Sequence, residues 1–128
     1  MIQLEFRNVN PKNKKTSDCV IRALSVASGK DYYEVMDELY ELSKKTGHMF
    51  NTKQTYEKWL EMNDFDKYKQ PKKECGSKWM VGDINKLTFE DKSIVISMAN
   101  HLSAVVDNKL VDTWDCRRKY IGNYWVKR

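Results

Sequence analysis

Late in this chain the hydrophobic residues change their period, and that change limits the folds open to it. From about Asp18 to Met62 the apolar residues recur at helical spacing. Val20, Ile21, Leu24 and Ala27, with Ala23 beside them, give an apolar face to a helix over about Asp18–Ser28, and Gly29 follows as its stop. Asp31 reads as the N-cap of a second helix, with Glu34 completing a capping box, and Tyr32, Val35, Met36, Leu39 and Leu42 form its buried stripe to an end near Gly47. A third helix opens at Asn51 or Thr52, runs over Lys53–Met62 and turns Tyr56, Trp59 and Leu60 inward.

From Ser93 onward the pattern is that of strands. Ser93–Met98 is one, His101–Val106 the next, and Asp107-Asn108 is a two-residue hairpin turn. Lys109–Trp114 returns antiparallel, and Lys119–Val126 is the last strand. Ile2–Arg7 alternates as a short strand, Asn8–Lys15 and the lysine-rich Asn63–Lys78 read as loops, and Val81–Leu87 holds a short helical turn. Helices first and sheet second is an α+β order. The expectation is a single domain over residues 1–128, with N-terminal helices packed on a C-terminal antiparallel β-sheet. At 128 residues, 41% hydrophobic and 32% charged, the chain can bury a core without staples.

The net charge of +5 comes with lysines and arginines spread along the chain and clustered at Lys12–Lys15, Lys67–Lys73 and Arg117–Lys119. These read as solvated positive charge in preference to a nucleic-acid surface. Cys19, Cys75 and Cys116 are odd in number and lack CxxC spacing, which argues against a disulfide framework and against zinc. His48 reads as a loop residue, and nothing in the sequence points to a metal or another cofactor. The first residues, MIQLEFRNVN, do not read as a signal peptide, and the longest mainly apolar run, Ile94–Ala99, is too short to span a membrane. A cytoplasmic protein with reduced thiols and no membrane partner is the expectation.

The chemistry-bearing residues fall into one pattern. Cys19 follows Thr16-Ser17-Asp18 at the start of the first helix, where a thiol is most acidic. With Asp107-Asn108 as the turn, Ser103 pairs with Asp112 and His101 with Trp114, so Asp112 projects on the face of His101, diagonally across the hairpin. Asp115 has the opposite parity unless the strand bends. A histidine can take the thiol proton, and a carboxylate on its other nitrogen fixes its tautomer. The competing reading makes Cys19 a buried helix residue, His101 a structural hydrogen-bonder and Asp112 a solvent-facing hairpin residue. Trp114, Tyr120, Tyr124 and Trp125 either face the core or line a substrate cleft. Cys75 and Cys116 read as plain free thiols.

The stretches SDCVIRALSVASGKDYYEV and HLSAVVDNKLVDTWD resemble the papain-like cysteine peptidase superfamily, in particular small papain-fold proteins of phages and bacteria, and are similar also to transglutaminase-like domains. The resemblance covers roughly residues 8 to 125. It implies a papain-like fold with Cys19 as nucleophile, His101 as general base and later acid, and Asp112, or Asp115, as the orienting residue. The family's oxyanion-binding glutamine lies a few residues before its cysteine. Asn13 stands at that place here, with Asn8 and Asn10 as fallbacks, and the Cys19 amide would be the second donor. Papain's glycine-rich context around the cysteine is replaced by Ser17-Asp18. The implied function is a cysteine-dependent hydrolase, a peptidase, isopeptidase or other amidase, acting on a protein or peptide substrate. The alternative is a catalytically silent papain-fold binding protein, such as a phage-type host-interaction or anti-defence factor.

Overall fold

The helical spacing of the first half produces three helices in the computed structural model, which describes residues 1–87 and 91–128. They are α1 (Cys19–Ser28), α2 (Tyr32–Thr46) and α3 (Lys53–Met62). Gly29 and Gly47 end the first two in the left-handed conformation, at φ 77° and 79°, where a side chain would be strained. The Asp31 carboxylate accepts from the Tyr33 amide at 3.0 Å and starts α2. Val81–Leu87 is a 3₁₀ segment.

The strands are β1 (Gln3–Phe6), β2 (Phe65–Tyr68), β3 (Ile94–Met98), β4 (His101–Val106), β5 (Lys109–Asp112) and β6 (Tyr124–Lys127), in the spatial order β1-β5-β4-β3-β6-β2. The fold is α+β, as the order of periods implies, but the sheet is not the purely antiparallel C-terminal one expected. β1 joins β5 in parallel, Gln3 opposite Lys109 through Phe6 opposite Asp112. Parallel neighbours need a long crossover, and most of the chain lies between these two strands. β2 arises inside the lysine-rich segment read as a loop and pairs antiparallel with β6. Its sequence hides it: Phe65 is buried while Asp66, Lys67 and Tyr68 are exposed, the charged character that edge strands use against unwanted pairing.

The last strand is shorter than expected because residues 119–123 spend their amides elsewhere. Ile121 N–H donates to Trp79 O at 2.9 Å and Gly122 N–H to Ser97 O at 2.7 Å. β5 stops at Asp112, where the Thr113 amide turns to the Asp112 carboxylate at 2.7 Å. The β4–β5 turn is as read: Val106 opposes Lys109, and Asp107 and Asn108 take φ 53° and 60°, the two left-handed residues of a type I′ turn.

Both sheet faces are covered. Val95, Leu102, Ala104 and Trp125 pack against Leu24, Val35, Leu39, Trp59 and Leu60 of the helices. Their strand neighbours Ile94, Ile96, Val105, Leu110 and Val126 face a second core with Ile2, Val81, Ile84, Cys116 and Ile121. Alternation on a sheet covered on both sides explains why β3 reads as a near-continuous apolar run.

Gly122 marks the tightest approach. A Cβ there would meet Ser97 Oγ at 2.9 Å and Ser97 O at 3.1 Å. Gly122→Ala should destabilise the fold by about 1–3 kcal/mol through backbone displacement, measured by urea denaturation with an unchanged m-value.

Candidate active site

α1 begins at Cys19, so the thiol stands in the first turn, where amides lack intrahelical acceptors and the helix dipole is positive. Asp18 precedes it at the N-cap position, yet its side chain makes no cap hydrogen bond. Its carboxylate is buried instead. It accepts from Arg22 Nε at 2.8 Å, from the Tyr32 hydroxyl at 2.7 Å and from Asn10 Nδ2 at 3.1 Å. Cys19 is half-buried and lines a cleft of about 570 Å³ together with His101, Trp114, Tyr56, Asn51 and Asn100.

His101 opens β4 directly after the tight Ala99-Asn100 turn from β3, at the end of the sheet where α1 starts. Its Nε2 lies 2.6 Å from Asp112 Oδ2. That oxygen also accepts from Ser103 Oγ at 2.5 Å, while Oδ1 accepts the Thr113 amide at 2.7 Å and Arg22 Nη1 at 3.2 Å. With 2% of its surface exposed, Asp112 is an acid taken out of water and given protein donors on both oxygens, the condition under which a buried carboxylate is tolerated. The Trp114 ring stands 5.0 Å from the His101 ring and lines the cleft beside it.

Burial alone would raise the Asp112 pKa. The bonds from His101 and Ser103, the His101 charge and the Thr113 amide overcome that and bring it down to about 2. Burial would lower the pKa of His101, but its bonds to Asp112, Cys116 and Cys19 hold it well above its ordinary value. Burial also raises the Cys19 thiol. The hydrogen bond with His101, a backbone hydrogen bond from Leu102 and the charges of His101 and Arg22 outweigh it, and the net shift is downward. An ionised Asp112 makes Nε2 the proton-bearing nitrogen of their bond and leaves Nδ1 for the thiol. Proton transfer from Cys19 to His101 then yields a thiolate beside an imidazolium, the form in which sulfur is a nucleophile.

The other sequence candidates are placed as follows. Asp115 is exposed and paired with Arg117 at 2.9 Å, while the bond to His101 comes from Asp112. Asn13 sits exposed in a left-handed loop position, φ 52°, with its amide on Asn10 O, and is not among the cleft-lining residues. The side-chain amide of Asn8 donates to Lys14 O and that of Asn10 to Asp18. Of the residues that line the cleft, Asn51 and Asn100 carry side-chain amides. Trp114 lines the cleft, Tyr124 and Trp125 are buried and Tyr120 is exposed. His48 and Cys75 are exposed. Cys116 is fully buried, its sulfur 3.6 Å from Asp112 Oδ2.

Arg22 and Ser103 are the participants that the sequence reading missed. Both had a signal: Arg22 lies one helical turn beyond Asp18, and the hairpin register already put Ser103 opposite Asp112. His101, Asp112 and Cys116 bring three potential donor atoms within 4.8 Å of one another. The hydrogen bonds above already engage all three side chains. No helix among the described residues is long and apolar enough to cross a membrane. Compared with protein-family models, curated proteins and solved structures, the chain matches none.

Arg22→Met would leave two buried carboxylates without their shared cation, a loss of about 3–5 kcal/mol at neutral pH. Asp18 and Asp112 are both held below their unfolded pKa. Their stabilisation is therefore complete above about pH 4 and is lost as pH falls through the folded values. The gap between wild type and Arg22→Met should narrow below about pH 4, read from urea midpoints between pH 3 and 7.

Proposed function

We propose that the protein is a cysteine-dependent acyl-transfer enzyme, a hydrolase of amide or related acyl bonds, with Cys19 as nucleophile, His101 as general base and acid, and Asp112 as the orienting carboxylate. The observation that carries this reading is the 2.6 Å bond from His101 to a desolvated Asp112, with the histidine and a helix-start thiol lining one cleft. Buried groups of this kind are costly to stability, and a perturbed thiol, imidazole and carboxylate meeting at an open cleft are what nucleophilic catalysis requires.

The chemistry runs in two halves. His101 accepts the Cys19 proton, and the thiolate adds to the acyl carbon. The amides of the first turn of α1, which have no intrahelical partners, face the developing oxyanion. Collapse expels the leaving group, protonated by His101, and leaves a thioester on Cys19. Water, deprotonated by His101, then attacks the thioester and releases the acid and the thiol. Asp112 holds the imidazole in one tautomer throughout. Trp114 shields one side of the ring from solvent. The papain-like resemblance implies the same roles for these three residues. With a cleft of about 570 Å³, a flexible protein tail or a small amide suits the site better than a long folded segment.

Site-resolved alkylation by iodoacetamide between pH 5 and 9 tests the first half. Cys19 should react at pH 6 at least tenfold faster than the fully exposed Cys75, and His101→Ala should abolish that advantage. Cys116 should stay unmodified until the protein unfolds. An inert Cys19 in wild type sinks the enzymatic reading.

Acetylation by p-nitrophenyl acetate tests the second half. A phenolate burst, with an acetyl group on Cys19 that then hydrolyses, is expected. Asp112→Asn should slow the burst by about two to four orders of magnitude, by analogy with loss of an orienting carboxylate. An activated thiol whose acetyl group never leaves would instead favour a silent binding protein.

A further inference from the structure

We infer that Arg22 is a positioning residue for the Cys19–His101 pair, binding the carboxylate behind the histidine and the carboxylate beside the nucleophile into one unit. The inference rests on the reading just proposed and adds a fourth side chain to it. Arg22 lies on α1, one turn after Cys19. Its Nε donates to Asp18 Oδ1 at 2.8 Å and its Nη1 to Asp112 Oδ1 at 3.2 Å, with Thr113 Oγ1 at 3.5 Å from the same nitrogen. One planar fork thus spans from the residue just before α1 to the residue that ends β5. A lysine could not reproduce both bonds from one ammonium.

The geometry has an electrostatic side. The titratable groups around the guanidinium and the thiol are Asp18 before α1, Cys19 on α1, His101 on β4 and Asp112 on β5, with Tyr32 of α2 reached through Asp18, Cys116 beyond Asp112, and Tyr56 and Lys53 of α3 lining the same cleft, the Lys53 ammonium on Asn123 Oδ1. Two of these are buried carboxylates sharing one guanidinium. In the thiolate–imidazolium state the cluster carries one net negative charge with Arg22 present and two without it. A second uncompensated charge in a buried site strongly disfavours the thiolate. Arg22 therefore makes ionisation of Cys19 affordable, whereas Asp18 on its own opposes it.

The two neighbours should then move the acidity of Cys19 in opposite directions, which a merely structural role would not do. The test is the pH profile of Cys19 alkylation by iodoacetamide in Arg22→Met, Arg22→Lys and Asp18→Asn, with far-ultraviolet circular dichroism on each variant. In Arg22→Met the midpoint of the acid limb should rise by about one pH unit, a roughly tenfold loss of rate at pH 6. In Asp18→Asn it should fall. In Arg22→Lys, which keeps the charge and loses the fork, it should lie between wild type and Arg22→Met.

Superimposable profiles in folded Arg22→Met and Asp18→Asn, or shifts of the same sign, overturn the inference. Where Arg22→Met does not fold, Asp18→Asn decides: a wild-type midpoint there overturns the inference and a lowered one supports it. Failure of the underlying enzymatic reading is distinguishable, because it shows in wild type alone, as a Cys19 that titrates like an ordinary thiol.

Discussion

The site depends on the cost of keeping the Asp112 carboxylate out of water. A buried carboxylate without partners would take up a proton or unfold its surroundings. Here a histidine, a serine, a backbone amide and an arginine supply donors to its two oxygens. The donors come from three pieces of the fold: His101 and Ser103 from β4, Thr113 from the bend just after β5, and Arg22 from α1. Satisfying one acid therefore fixes the helix against the sheet and fixes the imidazole at the mouth of the cleft. Under the proposed function, stability and reactivity draw on the same hydrogen bonds, so most substitutions in this network would change both.

Much of this was legible in the sequence, because the signals were local and periodic. The three helices follow from apolar spacing, two of them closed by glycine stops. The β4–β5 hairpin follows from a two-residue turn that needs left-handed residues and has Asp107-Asn108 to supply them. Once that register is set, Asp112 must lie on the face of His101 and opposite Ser103. Parity favoured Asp112 over Asp115 as the partner of His101 but left Asp115 open to a bend in the strand; the strand ends at Asp112, and the hydrogen bond to His101 is made there.

What was not legible depends on long-range pairing. Nothing in Gln3–Phe6 says that it will add in parallel to a strand near the other end of the chain. β2 shows one buried residue in four, too little for a pattern. The second core, beneath the sheet, joins strand residues to Ile2, the 3₁₀ segment and residues around 116–121, and no local pattern says that these distant pieces meet. Asn13 shows the limit in the other direction: it stands at the right spacing before Cys19, but it sits exposed in a left-handed loop position and is not among the residues that line the cleft. Asp18 stands at the N-cap position of α1, but its carboxylate is taken up by Arg22 one turn along the helix and by Tyr32 and Asn10 from elsewhere in the chain.

The parallel ladder between β1 and β5 has a consequence for the order of assembly. Its last pair joins Phe6 to Asp112, and the next bond runs from the Arg7 amide to the Asp112 carbonyl at 3.0 Å. The backbone of the residue hydrogen-bonded to His101 is thus clamped by a strand more than a hundred positions earlier. Contacts of such separation are entropically expensive to close and form late. During synthesis β1 emerges first and must wait for β5. The hairpin can bring His101 and Asp112 side by side early, but the sheet edge that holds them is finished only when β1 reaches β5. A nascent or truncated chain can therefore carry the whole set of reactive residues without yet having a site.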